Sequence, residues 1–169
     1  MKNFGERSRR ISVATLLMML VITVVGQTGT AGAAGQADLA TVRAATAQFH
    51  DVGNAPDAGY FPLLPCFESP EGGMGQHLVN VELLDTHLDP LRPEALVYEV
   101  RKSGLKFGAV EYIVPKAAWT QEQPPSLLGE TFRSNDELGL WVLHAWIWQP
   151  NPDGMFENFN PNIGACPNA

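Results

Sequence analysis

The sequence lacks any apolar run long enough to cross a bilayer. Its longest, from Ile11 to Val25, has fifteen residues, whereas a transmembrane helix needs about 20. Four basic residues precede this run and the small residues Ala31-Gly32-Ala33 follow it, which is the pattern of a cleaved secretory signal peptide. We therefore predict a signal peptide over residues 1–33 and a single domain over residues 34–169. The domain is predicted to be secreted or periplasmic, with no stable membrane anchor after cleavage.

Basic residues are scarce as well. The whole chain has 11 Lys and Arg against 18 Asp and Glu, and beyond residue 33 the balance is 7 against 17, a net charge of −10. Such an acidic chain repels phosphate backbones and anionic lipid surfaces, so the composition excludes nucleic acid as a partner. The net negative charge attracts cations, and we expect the partner to be a metal ion or a small ligand.

Only two cysteines are present, Cys66 and Cys166. Both lie in the part that we predict to be exported, where an oxidising compartment favours a disulfide over a free thiol or a metal ligand. Their bond would close a loop of about 100 residues and contribute up to about 4.7 kcal/mol to stability in the chain-entropy model. With both sulfurs bonded, no cysteine is left to act as a nucleophile.

The hydrophobic pattern predicts one helix followed by strands. Apolar residues recur at helical spacing from Asp38 to roughly Ala55, with Asp38 as a plausible N-cap. Alternating apolar segments then predict at least four strands, at residues 76–84, 94–100, 106–114 and 138–148, joined by hairpin-length connections. The predicted fold class is α+β, with one N-terminal helix packed on a mostly antiparallel sheet or a small open barrel, and one disulfide.

Three polar residues interrupt the apolar faces of three predicted strands: His77, Glu111 and His144. A carboxylate enclosed by apolar side chains is costly unless it is paired or bound to a cation. If the three strands are neighbours, the side chains meet, and two imidazoles with one carboxylate are a common ligand set for a divalent transition metal. We predict a copper or zinc site at these residues, with His87 as a fourth ligand or a neighbour of the site.

Three alternatives stay open at this point. A polar cluster satisfied by hydrogen bonds needs no metal. A metal-free binding module would hold a small apolar ligand or a partner protein with a tryptophan-bearing face, around Trp141 or around Trp146 and Trp148. A metal-dependent hydrolase or oxygenase would need an open coordination position and a spare acid or base such as Glu82 or His50.

Several long segments also carry a resemblance. They are SPEGGMGQHLVN, LLDTHLDPLRPEALVYE, AVEYIVP and LHAWIWQPNPDGMFENFNP. Through the patterns GGMGxHxVN, VEYIVP and LHAWIWxxNPxGMF, the chain resembles a group of small exported bacterial proteins with no established activity. The resemblance covers about Thr46 to Cys166, and it implies export and a single domain.

Overall fold

The computed structural model describes Met1 and residues 30–166. The predicted signal peptide therefore lies outside the described residues, apart from Met1 and its last four positions. Helix α1 spans Thr30–Thr46 and continues into a 3-10 turn at Ala47–His50, and a one-turn helix α2 spans Asn54–Asp57. The predicted N-terminal helix is confirmed, but Asp38 is not its N-cap, because Asp38 lies inside α1. At the far end, the Thr46 hydroxyl donates to the Val42 carbonyl, a back-bond that bends helices and accompanies the change to the tighter 3-10 turn.

The apolar face of this helical segment packs on the sheet. Leu39, Val42 and Phe49 join the main hydrophobic core, in which Tyr98 and Phe107 are almost completely buried. The Tyr98 hydroxyl donates to the carbonyl of Phe49 at 2.8 Å, so the helix end is held by a polar contact as well as by burial.

Within residues 30–166 the structure contains nine strands, most of them short. They are β1 Phe61–Pro62, β2 Phe67–Ser69, β3 Gly72–Val79, β4 Ala95–Arg101, β5 Gly104–Pro115, β6 Ser126–Leu127, β7 Glu130–Thr131, β8 Arg133–Asn135 and β9 Leu140–Ala145. Further 3-10 turns lie at Val81–Leu83 and Lys116–Ala118. Two predicted strands end earlier than expected, since Asn80 caps the turn that follows β3 and β9 stops before Trp146.

All strand pairs are antiparallel. Seven strands form one sheet in the order β1-β3-β4-β5-β9-β8, with β2 also paired to β3, and β6 pairs with β7 in a separate hairpin. This arrangement, with a helix on one face, confirms the predicted α+β fold. Among the described residues, no helix is both long enough and apolar enough to span a membrane.

The two faces of the sheet bury different sets of side chains. One face carries Leu96, Tyr112 and Leu143 in the core shared with α1. The opposite face carries two smaller apolar clusters. One contains Val79, Ala95, Ile113 and Val142, and the other contains Val97, Ala109, Trp146 and Ile163.

The C-terminal segment covers this second face and is tied down by the disulfide. Cys66 and Cys166 are bonded, with Cα atoms 5.8 Å apart and 100 residues between them in sequence, which confirms the predicted bond. Asn160 forms an isolated bridge to Gly73 of β3, and the Cys166 amide donates to Glu68 at 2.6 Å. A disulfide of this kind indicates an oxidising, non-cytoplasmic compartment.

Candidate metal centre

The three predicted ligands lie on three strands of the main sheet and on the same face. Glu111 of β5 and His144 of β9 are directly opposite each other in the antiparallel ladder, and Glu111 is also opposite Ala95 of β4. His77 belongs to β3, two residues before Val79, which pairs with Ala95. Because directly paired residues share a face and the side-chain period of a strand is two, all three side chains project to the side away from α1.

His77 meets the other two residues although other strands lie between them in the sheet. Strands β3 and β9 are separated by two strands, a distance of about 14 Å in a flat sheet, yet the Nε2 atoms of His77 and His144 are 3.3 Å apart. A bulge in the β4–β5 pairing at Val97/Tyr98 supplies local bending and twist. Between the ligands, the small Ala95 leaves room for the larger side chains to converge.

Gly75 allows β3 to approach β4 just before His77. Its φ is +83°, and a Cβ at this position would lie 2.4 Å from the Tyr98 carbonyl oxygen. Any other residue would clash with β4 and would also adopt a conformation that L-residues disfavour. The glycine-rich start of β3 therefore sets the position of the histidine that follows.

The donor atoms are as close together as ligands of one ion. One donor atom from each of the three residues falls within 4.8 Å of the others. His77 Nε2 is 3.3 Å from His144 Nε2 and 3.3 Å from Glu111 Oε2, while Glu111 Oε1 is 3.6 Å from His144 Nδ1. Two ligands held at about 2.0–2.1 Å from a tetrahedral zinc ion lie about 3.3 Å apart. The two contacts of His77 Nε2 thus have the length of edges of a metal coordination shell.

Burial controls the charge of the three groups. Relative exposure is 3% for His77, 5% for Glu111 and 1% for His144. Desolvation lowers the pKa of His77 to about 4 and that of His144 to about 3, while the Asn158 side chain partly opposes the shift at His144. Desolvation, helped by the negative charge of Glu94, raises the pKa of Glu111 to about 8. Without a metal, the centre at neutral pH is a protonated carboxyl beside two neutral imidazoles.

Three buried polar atoms of the described residues have no hydrogen-bond partner: Nδ1 of His77, Nδ1 of His144 and Oδ1 of Asn158. Asn158 affects the pKa of His144, but the two side chains do not meet with hydrogen-bond geometry. An unpaired buried polar atom costs about 1–3 kcal/mol. Three of them in one place show that the metal-free centre is not a fully satisfied polar cluster.

A cavity of ≈ 280 Å³ adjoins the centre. His77, Glu111 and His144 contribute to one part of its wall, and most of the rest is apolar. Other members of the wall include Phe67, Met74, Ile113, Leu138, Val142 and Phe159. The three donor residues are therefore buried from bulk solvent but face a space that a small molecule can enter.

The structure does not bring His87 to this centre. His87 is exposed and lines a second cavity together with Glu82, Asp85 and Asp89. His50, the other spare acid or base considered from sequence, is on the helical side, where its ring is 4.3 Å from that of Trp148. We therefore leave His87 out of the ligand set, and Glu82 and His50 have no role at the centre.

The tryptophans lie mostly within the chain's own packing. Trp146 is buried, stacks on His144 with ring centroids 6.1 Å apart, and donates from Nε1 to the Glu157 carbonyl. Trp141 and Trp148 are half-buried, and the Lys116 ammonium lies 4.8 Å from the Trp141 ring centroid. Trp146 thus packs against the ring of His144.

Sequence reasoning missed the contributions of the C-terminal segment. Asn158 and Phe159 line the cavity but belong to no strand with a readable period. The only sequence signal for their position is the cysteine at 166, because a bond to Cys66 must draw the tail across the β2–β3 region.

Comparison of the chain with models of protein families, with curated proteins and with solved structures gave no match. The resemblance to small exported bacterial proteins therefore stays a prediction, and the function has to be argued from the geometry of the centre.

Proposed function

We propose that this protein binds one transition-metal ion, zinc or copper, through His77, Glu111 and His144. The observation that carries the proposal is the convergence of two imidazoles and a carboxylate, within 4.8 Å of one another, in the buried interior of the sheet's second face. Nitrogen and carboxylate donors of this kind suit zinc and copper, and three protein ligands leave a coordination position for another group.

The energetics of the metal-free centre favour a metal over a purely structural cluster. Burial opposes the charged form of all three residues, and both Nδ1 atoms lack partners. These groups therefore cost stability in the absence of an ion. A divalent cation bound by Glu111 and the two Nε2 atoms would hold Glu111 in its ionised form and use the Nε2 lone pairs. Its binding energy would offset the cost of burying these groups.

We also propose that the protein is exported before it acts. The basic, apolar and small-residue order of residues 1–33 supports a cleaved leader, and the Cys66–Cys166 disulfide supports an oxidising destination.

The first expected result is that the exported protein, purified without a histidine tag, retains about one equivalent of zinc or copper. Elemental analysis of the folded, disulfide-bonded protein measures this directly. After removal of the metal with a chelator, titration with Zn²⁺ should restore one equivalent and raise the midpoint of thermal unfolding, because a ligand that binds only the folded state stabilises it. A folded protein that neither retains nor takes up metal would refute the proposal.

A second expected result concerns Glu111→Gln in metal-free protein. Since the pKa of Glu111 is raised from its ordinary value of 4.5 to about 8, the folded state binds more protons than the unfolded state between these values, and stability falls as pH rises. Below about pH 6.5 the lowered pKa values of the two buried imidazoles contribute a pH dependence of the opposite sign in both proteins, so the comparison is made above pH 6.5. From pH 6.5 to 8, therefore, metal-free Glu111→Gln should become progressively more stable than the metal-free wild type, as measured by urea unfolding in a chelator.

Glu94→Gln is the matched control for the role of Glu111 in metal binding. Glu94 is a second buried carboxyl whose pKa is raised by desolvation to about 7, but it accepts from the Ile113 amide at 3.0 Å and is not one of the clustered donors. Its variant should keep the metal, whereas Glu111→Gln should lose it. If Glu111→Gln were less stable at every pH and still bound metal, Glu111 would be a structural residue.

A further inference from the structure

The cavity beside the metal centre has the size of a small organic ligand. Its volume is ≈ 280 Å³, whereas a cavity of about 150 Å³ in another protein holds benzene. By that scale it accommodates about ten non-hydrogen atoms. Its wall is mainly apolar, with Phe67, Ile113 and Val142 among the side chains that form it.

Charge determines which end of the ligand meets the metal. A divalent ion held by Glu111 and two neutral imidazoles leaves a net charge of +1 in a buried site, where an anionic donor is attracted much more strongly than in water. Toward solvent, the wall carries the exposed carboxylates of Glu68 and Glu137, and its described residues include no lysine or arginine. A second negative charge at the outer end of the ligand would therefore be repelled.

We propose that the centre and its cavity bind a small apolar monoanion, such as a carboxylate or a hydroxamate. The anionic group completes the coordination of the metal, and the apolar body of the ligand fills the space between Phe67, Ile113 and Val142. This inference rests on the proposed metal-binding function and specifies the class of molecule that the same site takes.

Two probes with the same head group test the inference: benzohydroxamate, which fills the cavity, and acetohydroxamate, which has only a methyl group. Calorimetric titration of zinc-loaded protein should show that benzohydroxamate binds on the order of 10- to 100-fold more tightly, because its additional apolar surface is buried. The metal-free protein should bind neither probe measurably. Metal content is measured before and after each titration, so that a failure to bind zinc is seen separately from a failure to bind the probe.

Two leucines provide a matched pair of variants. Leu138 is 46% exposed and lines the cavity, while Leu91 is 42% exposed and lies outside its wall. Leu138→Asp should reduce the preference for benzohydroxamate to less than about 3-fold while one equivalent of zinc is kept, because it places a charge beside the apolar body. Leu91→Asp should leave the preference unchanged.

Each other outcome contradicts a distinct part of the inference. Equal affinity of zinc-loaded protein for the two probes would overturn the role of the cavity but leave the metal site intact. Equal affinity of metal-free and zinc-loaded protein for benzohydroxamate would overturn coordination of the head group. Failure to bind zinc at all would overturn the proposed function and this inference with it.

Discussion

Replacing His144 with alanine should reduce the bound metal from about one equivalent to less than about 0.1. In the proposed site His144 is one of three protein ligands, and its Nε2 lies 3.3 Å from that of His77. Loss of a group that merely orients a ligand costs about 10- to 100-fold in metal affinity, so loss of the ligand itself should cost at least about 100-fold. Elemental analysis and competition with a chelator of known affinity measure the effect.

His87→Ala is the matched control, because it removes a histidine that is exposed and lies in the second cavity. It should keep one equivalent of metal and wild-type affinity. Since His144 is buried, His144→Ala could lower metal binding by disturbing the fold, and the larger His144→Gln guards against that. Both variants must show the wild-type circular dichroism spectrum. A folded His144→Gln protein with undiminished affinity would remove His144 from the centre.

Removing the disulfide should have the largest effect on stability. The double variant Cys66→Ser/Cys166→Ser frees a loop of 100 residues, and the chain-entropy model assigns such a bond about 4.7 kcal/mol. Single domains are stable by only about 5–15 kcal/mol. We therefore expect the free energy of unfolding in urea to fall by roughly 3–5 kcal/mol, and metal affinity to fall as well, because the released tail includes Asn158 and Phe159 of the cavity wall.

Glu68→Gln separates the covalent bond from the contacts around it. This variant keeps the disulfide and replaces the charge that accepts from the Cys166 amide, so it should cost no more than about 1–3 kcal/mol. Wild-type protein in reducing agent should behave like the double variant. An unchanged urea midpoint after complete reduction would mean that the tail is held by its other contacts alone.

Much of the centre could be predicted from the alternation of apolar residues along the strands. The pattern around Glu111 and His144 predicted that both interrupt apolar faces, and the antiparallel ladder places them directly opposite each other. Their convergence with His77 could not be predicted, because it depends on the order of the strands, on the irregular pairing at Val97/Tyr98 and on the close approach at Gly75. These are properties of paired strands, and the sequence of one strand alone does not predict them.

The end of the helix and the position of His87 were predicted less well for a related reason. The apolar residues of the sequence keep a helical spacing through the 3-10 turn Ala47–His50. The position of Phe49 in that spacing therefore could not show where α1 ends. His87 was predicted to be a fourth ligand or a neighbour of the site, but its segment is a turn between strands, and the strand period gives no direction for its side chain. In both cases the residue pattern fitted the local structure, but tertiary packing determined where the helix ends and where His87 lies.

The spacing of the ligands along the chain sets the order of events during maturation. His77 and His144 are 67 residues apart, and the two cysteines are 100 residues apart. Such distant partners meet late, since loop-closure entropy must be overcome before the contacts form. If the chain is exported as proposed, an N-terminal segment that contains His77 would emerge before Glu111 and His144, so the proposed ion would be bound by a nearly complete sheet rather than nucleating it. If the protein binds an ion as proposed, insertion of the ion would therefore be one of the last steps of its maturation, close in time to formation of the Cys66–Cys166 bond.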